Sequence, residues 1–293
     1  MLTKEEFQNK ISQGLCILDG ATGSNLRNAG MPKACCTEQW VLENPEPLVA
    51  LQRAYAQAGS QIIYAPTFQA QPIALKAVGL DKETETINAA LVALSRSAAP
   101  GCLIAGDLTT LATFCDSWDG GSFDLLVENY RRQIRGLIDG GADLLAAETL
   151  MYPQEAESIL TAAELEGAGA ALYTFTMQPD GSLFSGAEVG PVLKELEEAG
   201  AAAVGFNCVA ADMMTPYLTA KLRRYVKGPL ICKPNAGIPV INAQGIAEYG
   251  MEPEAFADIV MQCKANGATI FGGCCGTTPA HIAALKARLA SAV

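Results

Sequence analysis

Three cysteines stand where two apolar runs end. They are Cys208 and, after 65 intervening residues, the adjacent pair Cys274-Cys275. Zinc takes four tetrahedral ligands, and catalytic sites leave one corner open, so three thiolates would complete the protein's share of such a site. Neighbouring residues on a regular strand point to opposite faces, so both members of the pair can meet one ion only where the strand breaks. Gly272-Gly273 before the pair and Gly276 after it supply that freedom. The competing explanation is burial, because cysteine is among the most buried residue types and ten cysteines produce chance groupings. Position at two strand ends, with glycine on both sides of the pair, favours the metal.

A zinc held by three thiolates carries a net negative charge and is a poor Lewis acid toward water. It suits a fourth thiol better, lowering its pKa and keeping it as a reactive thiolate. The fitting reaction is alkyl transfer to sulfur. Ligand type alone leaves hydrolysis open, but a zinc hydrolase needs a general base. Neither a histidine nor a second acidic cluster accompanies Cys274 in the sequence.

The other chemistry-bearing residues are few. His281 is the one histidine, which excludes zinc sites built on two or three histidines, and a place near the start of the last helix gives it a cap or surface role. Asp107 and Glu148 interrupt apolar runs. A carboxylate in such a setting needs a cationic partner, either a ligand ammonium or a nearby Arg or Lys. Asp107 and Asn235 are weaker candidates that could simply fix loops through backbone hydrogen bonds. Cys16, Cys102, Cys232 and Cys263 fall within apolar runs or a helix and read as packing, and Cys115 reads as an ordinary loop residue. Cys35-Cys36 reads as an exposed or semi-buried pair, with a lid contact or a second metal pair as alternatives.

Eight short apolar runs position these residues: Cys16–Asp19, Gln61–Thr67, Cys102–Leu108, Asp143–Thr149, Ala171–Met177, Ala203–Cys208, Leu230–Asn235 and Thr269–Cys274. Nearly all are continuous rather than alternating, as expected of parallel strands covered by helices. Helical stretches separate them: Pro47–Ala58, Ser122–Asp139, Pro153–Glu166, Val189–Ala199 and Glu252–Asn266, with Thr278-Pro279 opening the last. Several start at Pro and stop at Gly. Lys4–Gln13 reads as a helix closing the bottom of a barrel. Eight β-then-α units predict an α/β protein, a (β/α)8 TIM barrel, with residues 1–293 as a single domain. A doubly wound sheet is the runner-up, but Gly20-Ala21-Thr22-Gly23-Ser24 is only a glycine-rich turn and not a dinucleotide fingerprint. In a barrel the chemistry sits at the C-terminal strand ends, which here carry Asp19-Gly20, Thr67, Asp107, Glu148-Thr149, Thr174, Asn207-Cys208, Lys233-Pro234-Asn235 and the Cys274-Cys275 segment.

Composition narrows the classes further. Lys plus Arg is 20 and Asp plus Glu is 31, a formal charge of −11. That argues against nucleic acid or an anionic membrane as partner. Half the residues are hydrophobic, enough for a large core. No basic segment followed by an apolar one opens the chain, so a cytoplasmic location with reduced thiols is expected.

Asp19-Gly20-Ala21-Thr22-Gly23, Ala65-Pro66-Thr67-Phe68, Gly205-Phe206-Asn207-Cys208, Lys233-Pro234-Asn235-Ala236-Gly237 and Gly272-Gly273-Cys274-Cys275-Gly276-Thr277-Thr278-Pro279 resemble the homocysteine S-methyltransferase family. The resemblance covers essentially the whole chain. It implies a zinc-dependent (β/α)8 barrel that methylates homocysteine to methionine, with one Zn2+ on Cys208, Cys274 and Cys275. It also implies that Glu148 holds the homocysteine amine and that Asp19, Gly20 and Asn207 line the same pocket. The Gly-Thr-Thr-Pro run is similar to the homocysteine-binding domain of cobalamin-dependent methionine synthases, whereas the S-methylmethionine-using branch tends to have Arg at Gly276. No cobalamin-binding segment is recognisable before Val293, so methylcobalamin on a partner corrinoid protein is one expectation for the donor and a small methyl donor the other. The alternative function is a homocysteine-binding subunit of a corrinoid-dependent complex, inactive without its partner. The chain departs from the family at Ala65, at Thr109-Thr110 and at Val209-Ala210-Ala211, all loops at the barrel mouth.

Overall fold

The computed structural model describes residues 1–14, 16–112, 120–243 and 245–291. Cys115 lies outside them. The chain forms β1 (Ile62–Tyr64), β2 (Leu103–Thr109), β3 (Leu144–Leu150), β4 (Ala171–Phe175), β5 (Ala203–Ala210) and β6 (Leu230–Asn235). After an antiparallel hairpin of β7 (Val240–Ile241) and β8 (Ala247–Glu248) comes β9 (Ile270–Phe271). The first six strands and β9 pair in sequence order, each parallel to the next. The expected first strand is reduced to two residues. Ile17 bridges Phe271 and Leu18 bridges Ile62, both in parallel, and these bridges close the ring with an eighth stave.

The helices are α1 (Lys4–Ser12), α2 (Gly23–Asn28), α3 (Thr37–Glu43), α4 (Pro45–Ala58), α5 (Pro72–Leu75), α6 (Thr84–Ala98), α7 (Gly120–Asp139), α8 (Pro153–Leu165), α9 (Val189–Glu198), α10 (Thr215–Arg223), α11 (Pro253–Ala265) and α12 (Pro279–Ser291). One long helix follows each stave: α4, α6, and then α7 through α12. Each of these touches the next and α12 touches α4, so the outer layer is also a closed ring. No helix among the described residues is long and apolar enough to cross a membrane.

Strand periodicity divides the core into two layers. On β3, Leu144 and Ala146 face the barrel interior while Leu145 and Ala147 face the helices. On β6, Ile231 faces in while Leu230 and Cys232 face out. From the N-terminal side the interior is plugged by Phe7 of α1, fully buried against this inner layer, as expected of a helix closing the bottom. A Thr3–Glu6 capping box starts that helix, and backbone bonds from Leu2 to Asp143 and from Ala170 to Leu2 tie its entry to the staves. Continuing the alternation upward puts Asp107, Glu148, Asn207 and Lys233 in the next inward-facing layer. An apolar floor thus carries a buried polar storey.

Candidate active site

The Sγ atoms of Cys208, Cys274 and Cys275 all lie within 4.8 Å of one another, and no other cluster of potential metal ligands of this size occurs among the described residues. Cys208 and Cys275 are 4.0 Å apart, far beyond a disulfide bond, and all three are free thiols. Two local distortions bring them together. Strand β5 bulges between Asn207 and Ala210, and Cys208 takes a left-handed φ of 56° there, which re-aims its side chain. The last stave leaves its ladder after Phe271, and the pair is then carried by backbone bonds from Cys274 N–H to Pro234 and from Ala236 N–H to Cys275. Gly276 turns the chain with φ 79°.

The three thiols titrate as a unit. Hydrogen bonding to Cys274 and Cys275 pushes the Cys208 thiol far up, and the same contact with Cys208 pulls Cys275 down. Three thiolates at this separation cannot coexist without a cation among them. Three soft sulfur donors gathered from two strand ends are a set that fits a divalent zinc with a free corner. Tyr249, just beyond β8, has its hydroxyl beside Cys275, where it helps to lower that thiol. Its ring fills the place of a side chain on Gly276, where a Cβ would collide with Tyr249 Cγ.

Below the sulfurs, Lys233 Nζ donates to Glu148 Oε2 at 2.8 Å and lies 4.6 Å from the centre of the Tyr64 ring. Of the two partners open to Glu148 from its sequence setting, the protein supplies the lysine. Glu148 Oε1 has no partner among the described residues. Burial alone would lower the Lys233 ammonium, but the charges of Glu148, Cys274 and Asp19 outweigh it and hold the group protonated. Asp19 accepts from Tyr64 N–H at 2.8 Å through Oδ2, while Oδ1 is buried without a partner. Burial pushes its carboxyl up to about 7. Asp107 Oδ1 is also a buried orphan, and burial with the nearby Glu148 charge raises that carboxyl strongly. For Asp107 and Asn235, the loop-fixing alternative finds no side-chain bond to a loop backbone among the described residues. Each keeps a side-chain oxygen unbonded inside the barrel.

Asn207 is fully buried and its amide is engaged. Oδ1 accepts from Thr149 N–H at 2.8 Å, and Nδ2 donates to Thr149 Oγ1 at 2.7 Å and toward Cys274 Sγ at 3.8 Å. Gly20 is a close approach, since a Cβ there would stand 2.6 Å from Tyr55 Oη and 2.8 Å from Thr277 Oγ1. His281 is a buried cap. Its Nδ1 accepts from Thr278 N–H at 3.1 Å, so Nε2 carries the proton donated to Met251 O at 2.9 Å. Glu155, unremarked in sequence, accepts from Leu111 N–H and Thr110 Oγ1 with one oxygen and from Met151 and Tyr152 N–H with the other. It fixes the loops after β2 and β3 together. Cys35 is exposed and Cys36 donates to Glu38, and neither joins a metal-sized group. Lys233 was missed as a site residue, although it interrupts an apolar run just as Glu148 does.

The sequence pattern of the family described as homocysteine S-methyltransferase matches residues 16–289. The homocysteine S-methyltransferase of Escherichia coli (strain K12) is 31% identical, over 94% of this chain and 96% of that protein. Methionine synthase of Mycobacterium tuberculosis is 27% identical over 96% of this chain, which spans only 25% of that longer protein. Among solved structures, the metallated form of the homocysteine methyltransferase MmuM from Escherichia coli superposes with a TM-score of 0.79 at 28% identity. That match covers 96% of this chain and 99% of that one.

Proposed function

This chain belongs to the homocysteine S-methyltransferase family, and from that premise we propose that it transfers a methyl group to the thiol of homocysteine, giving methionine. The observation that carries this reading is the convergence of three thiols from β5 and the last stave at the C-terminal mouth of the barrel. Cys208, Cys274 and Cys275 would hold one zinc. When bound, zinc would keep an incoming thiol deprotonated at neutral pH. That the similar Escherichia coli homocysteine methyltransferase has a metallated form supports a metal in this barrel.

The remaining residues act by placing the acceptor. Glu148 Oε1 and the free oxygen of Asp19 face the storey below the sulfurs and take the amino group. Gly20 lets the Cys274 turn pack against the first stave. Asn207, its amide already spent, positions Thr149 and Cys274 rather than touching the acceptor. Tyr249 and Gly276 cover one side of the pair. The acceptor sulfur loses its proton to solvent and attacks the donor methyl carbon in line, and the bond from that carbon to its carrier breaks.

Zinc-loaded protein incubated with homocysteine and, in turn, S-methylmethionine, S-adenosylmethionine, betaine and methylcobalamin should yield methionine with at least one donor. Methionine from none of them contradicts a self-sufficient enzyme. The match to a quarter of methionine synthase favours one second reading, a homocysteine-binding subunit that needs a methyl-carrying corrinoid partner. That reading requires homocysteine binding to zinc-loaded protein without turnover of any free donor.

A further inference from the structure

Three protein sulfurs gather where one acceptor sulfur is to react, and thiolates of all four are nucleophiles of the same kind. A methyl donor that reaches the acceptor also reaches any protein sulfur left open at the mouth. Methylation of a ligand is a dead end. Its Sγ–CH3 bond forms, the bond from the methyl carbon to its carrier breaks, and a neutral thioether replaces the thiolate that zinc requires. Cys274 is buried, whereas Cys208 and Cys275 are half-buried and are the two at risk.

Tyr249 stands at Cys275. Its hydroxyl is beside the sulfur, and its ring packs on the backbone of Gly276, the next residue. The segment that carries it is stitched twice to the turn that carries Cys275. Met251 N–H donates to Ala236 O at 3.3 Å, and Ala236 N–H donates to Cys275 O at 2.9 Å. On the other side, His281 takes Thr278 N–H on Nδ1 and donates from Nε2 to Met251 O. The chain's one histidine is thus one of the two stitches. Upstream, Lys33 Nζ donates to Gly245 O at 2.8 Å, which ties the hairpin before Tyr249 to the loop after the first stave. Cys208 is placed differently. Among the described residues, the hydrogen-bonding groups at its sulfur are the other two thiols.

We propose that Tyr249 keeps Cys275 a metal ligand rather than a methyl acceptor: its ring blocks the donor's approach to that sulfur, and its hydroxyl donates a hydrogen bond that makes the thiolate's lone pairs less available for attack. This rests on the reading of the chain as a zinc-dependent methyltransferase and adds a selectivity residue to it. Hydrogen bonds to an ionised acceptor are the strong ones, and partners of metal ligands tune the ligands they touch. One of the two half-buried protein sulfurs is thereby removed from competition with the acceptor. Cys208, which lacks such a cover, is the internal reference.

The test treats zinc-loaded protein with iodomethane in the absence of acceptor and reads the initial rate of methylation at each cysteine by peptide mass. Iodide leaves as the new Sγ–CH3 bond forms. The wild type should be methylated at Cys208 and spared at Cys275. Tyr249→Phe keeps the ring on Gly276 and removes the hydroxyl, so the Cys275-to-Cys208 ratio should rise about 3- to 10-fold, as for loss of one hydrogen bond. Tyr249→Ala removes ring and hydroxyl together and should bring Cys275 to the rate of Cys208. Zinc content is measured on each protein first. If Tyr249→Ala fails to fold or to hold zinc, Tyr249→Phe decides alone. The same ratio in the wild type and the variants, or a wild type methylated at Cys275 as fast as at Cys208, overturns the proposal. A wild type that holds no zinc overturns instead the reading of the cluster as a metal site, and this role falls with it.

Discussion

Asn207 on β5 grips Thr149 on β3 across the intervening strand, accepting from its N–H and donating to its hydroxyl. Thr149 sits at φ 60°, a left-handed conformation that a β-branched residue rarely adopts. The residues on either side of this clamp are Glu148 and Cys208. The two bulges that aim them, one on β3 and one on β5, are thus locked to each other by a single amide. Local strain of this kind persists only where the surroundings over-determine it.

Asn207→Ala leaves both Thr149 groups without their partner. The expected cost is about 1–3 kcal/mol of stability, read as a lower urea midpoint at unchanged slope. Zinc affinity, measured against a chromophoric chelator, should fall about 10- to 100-fold, as for other residues that orient metal ligands. Unchanged stability and affinity would show that Thr149 holds its conformation unaided.

Stability should depend on pH through Asp19. Its carboxyl is pushed up to about 7 in the folded chain by burial, whereas it titrates near 4 when unfolded. Between these values the folded state holds a proton that the unfolded state has released. The contribution is therefore complete below about pH 4 and is lost as pH rises through about 7, with a slope of up to about 1.4 kcal/mol per pH unit. Asp107 and Glu148, also raised by burial, act in the same direction. Melting of metal-free protein across pH 4–8 should show the decline, and Asp19→Asn should flatten it. A wild-type stability that rises across this window contradicts a protonated buried carboxyl.

Gly276→Ala meets two obstacles, a φ of 79° and the Tyr249 ring. It should cost at least about 2 kcal/mol, of which roughly 1 kcal/mol is backbone strain. Tyr249→Ala introduced alongside should recover the steric part and not the strain, as measured by denaturant melts of the two variants. Equal stability of Gly276→Ala with and without the tyrosine would place the ring elsewhere.

Much of this was legible in the sequence because it follows from burial. Continuous apolar runs announced the staves, and the Lys4–Gln13 segment read as a helix that closes the bottom, although its plug residue Phe7 was not singled out. The three cysteines were visible because glycines flank one strand end. What could not be read depends on contacts distant in sequence. Nothing local marks Thr149 or Cys208 for a left-handed turn, since no glycine is present and the clamp comes from Asn207, 58 residues beyond Thr149. The first stave shrinks to two bridging residues because Asp19 and Gly20 serve the mouth rather than the ladder. Helices α6 and α10 were not anticipated. The first does carry an apolar face of Ile87, Leu91 and Val92 and was overlooked, while the second is short, with Tyr217 exposed on it. Lys233 was passed over because a lysine at a strand end ordinarily reaches solvent, and only its pairing with Glu148 shows otherwise.

The central claim is that three sulfurs of the protein hold one zinc and leave a corner for the acceptor thiol. X-ray absorption at the zinc edge of the loaded protein tests it directly. It should report three sulfur neighbours at about 2.3 Å without substrate and four once homocysteine is added. Fewer than three sulfurs in the free protein, or a sulfur count that homocysteine leaves unchanged, would contradict it.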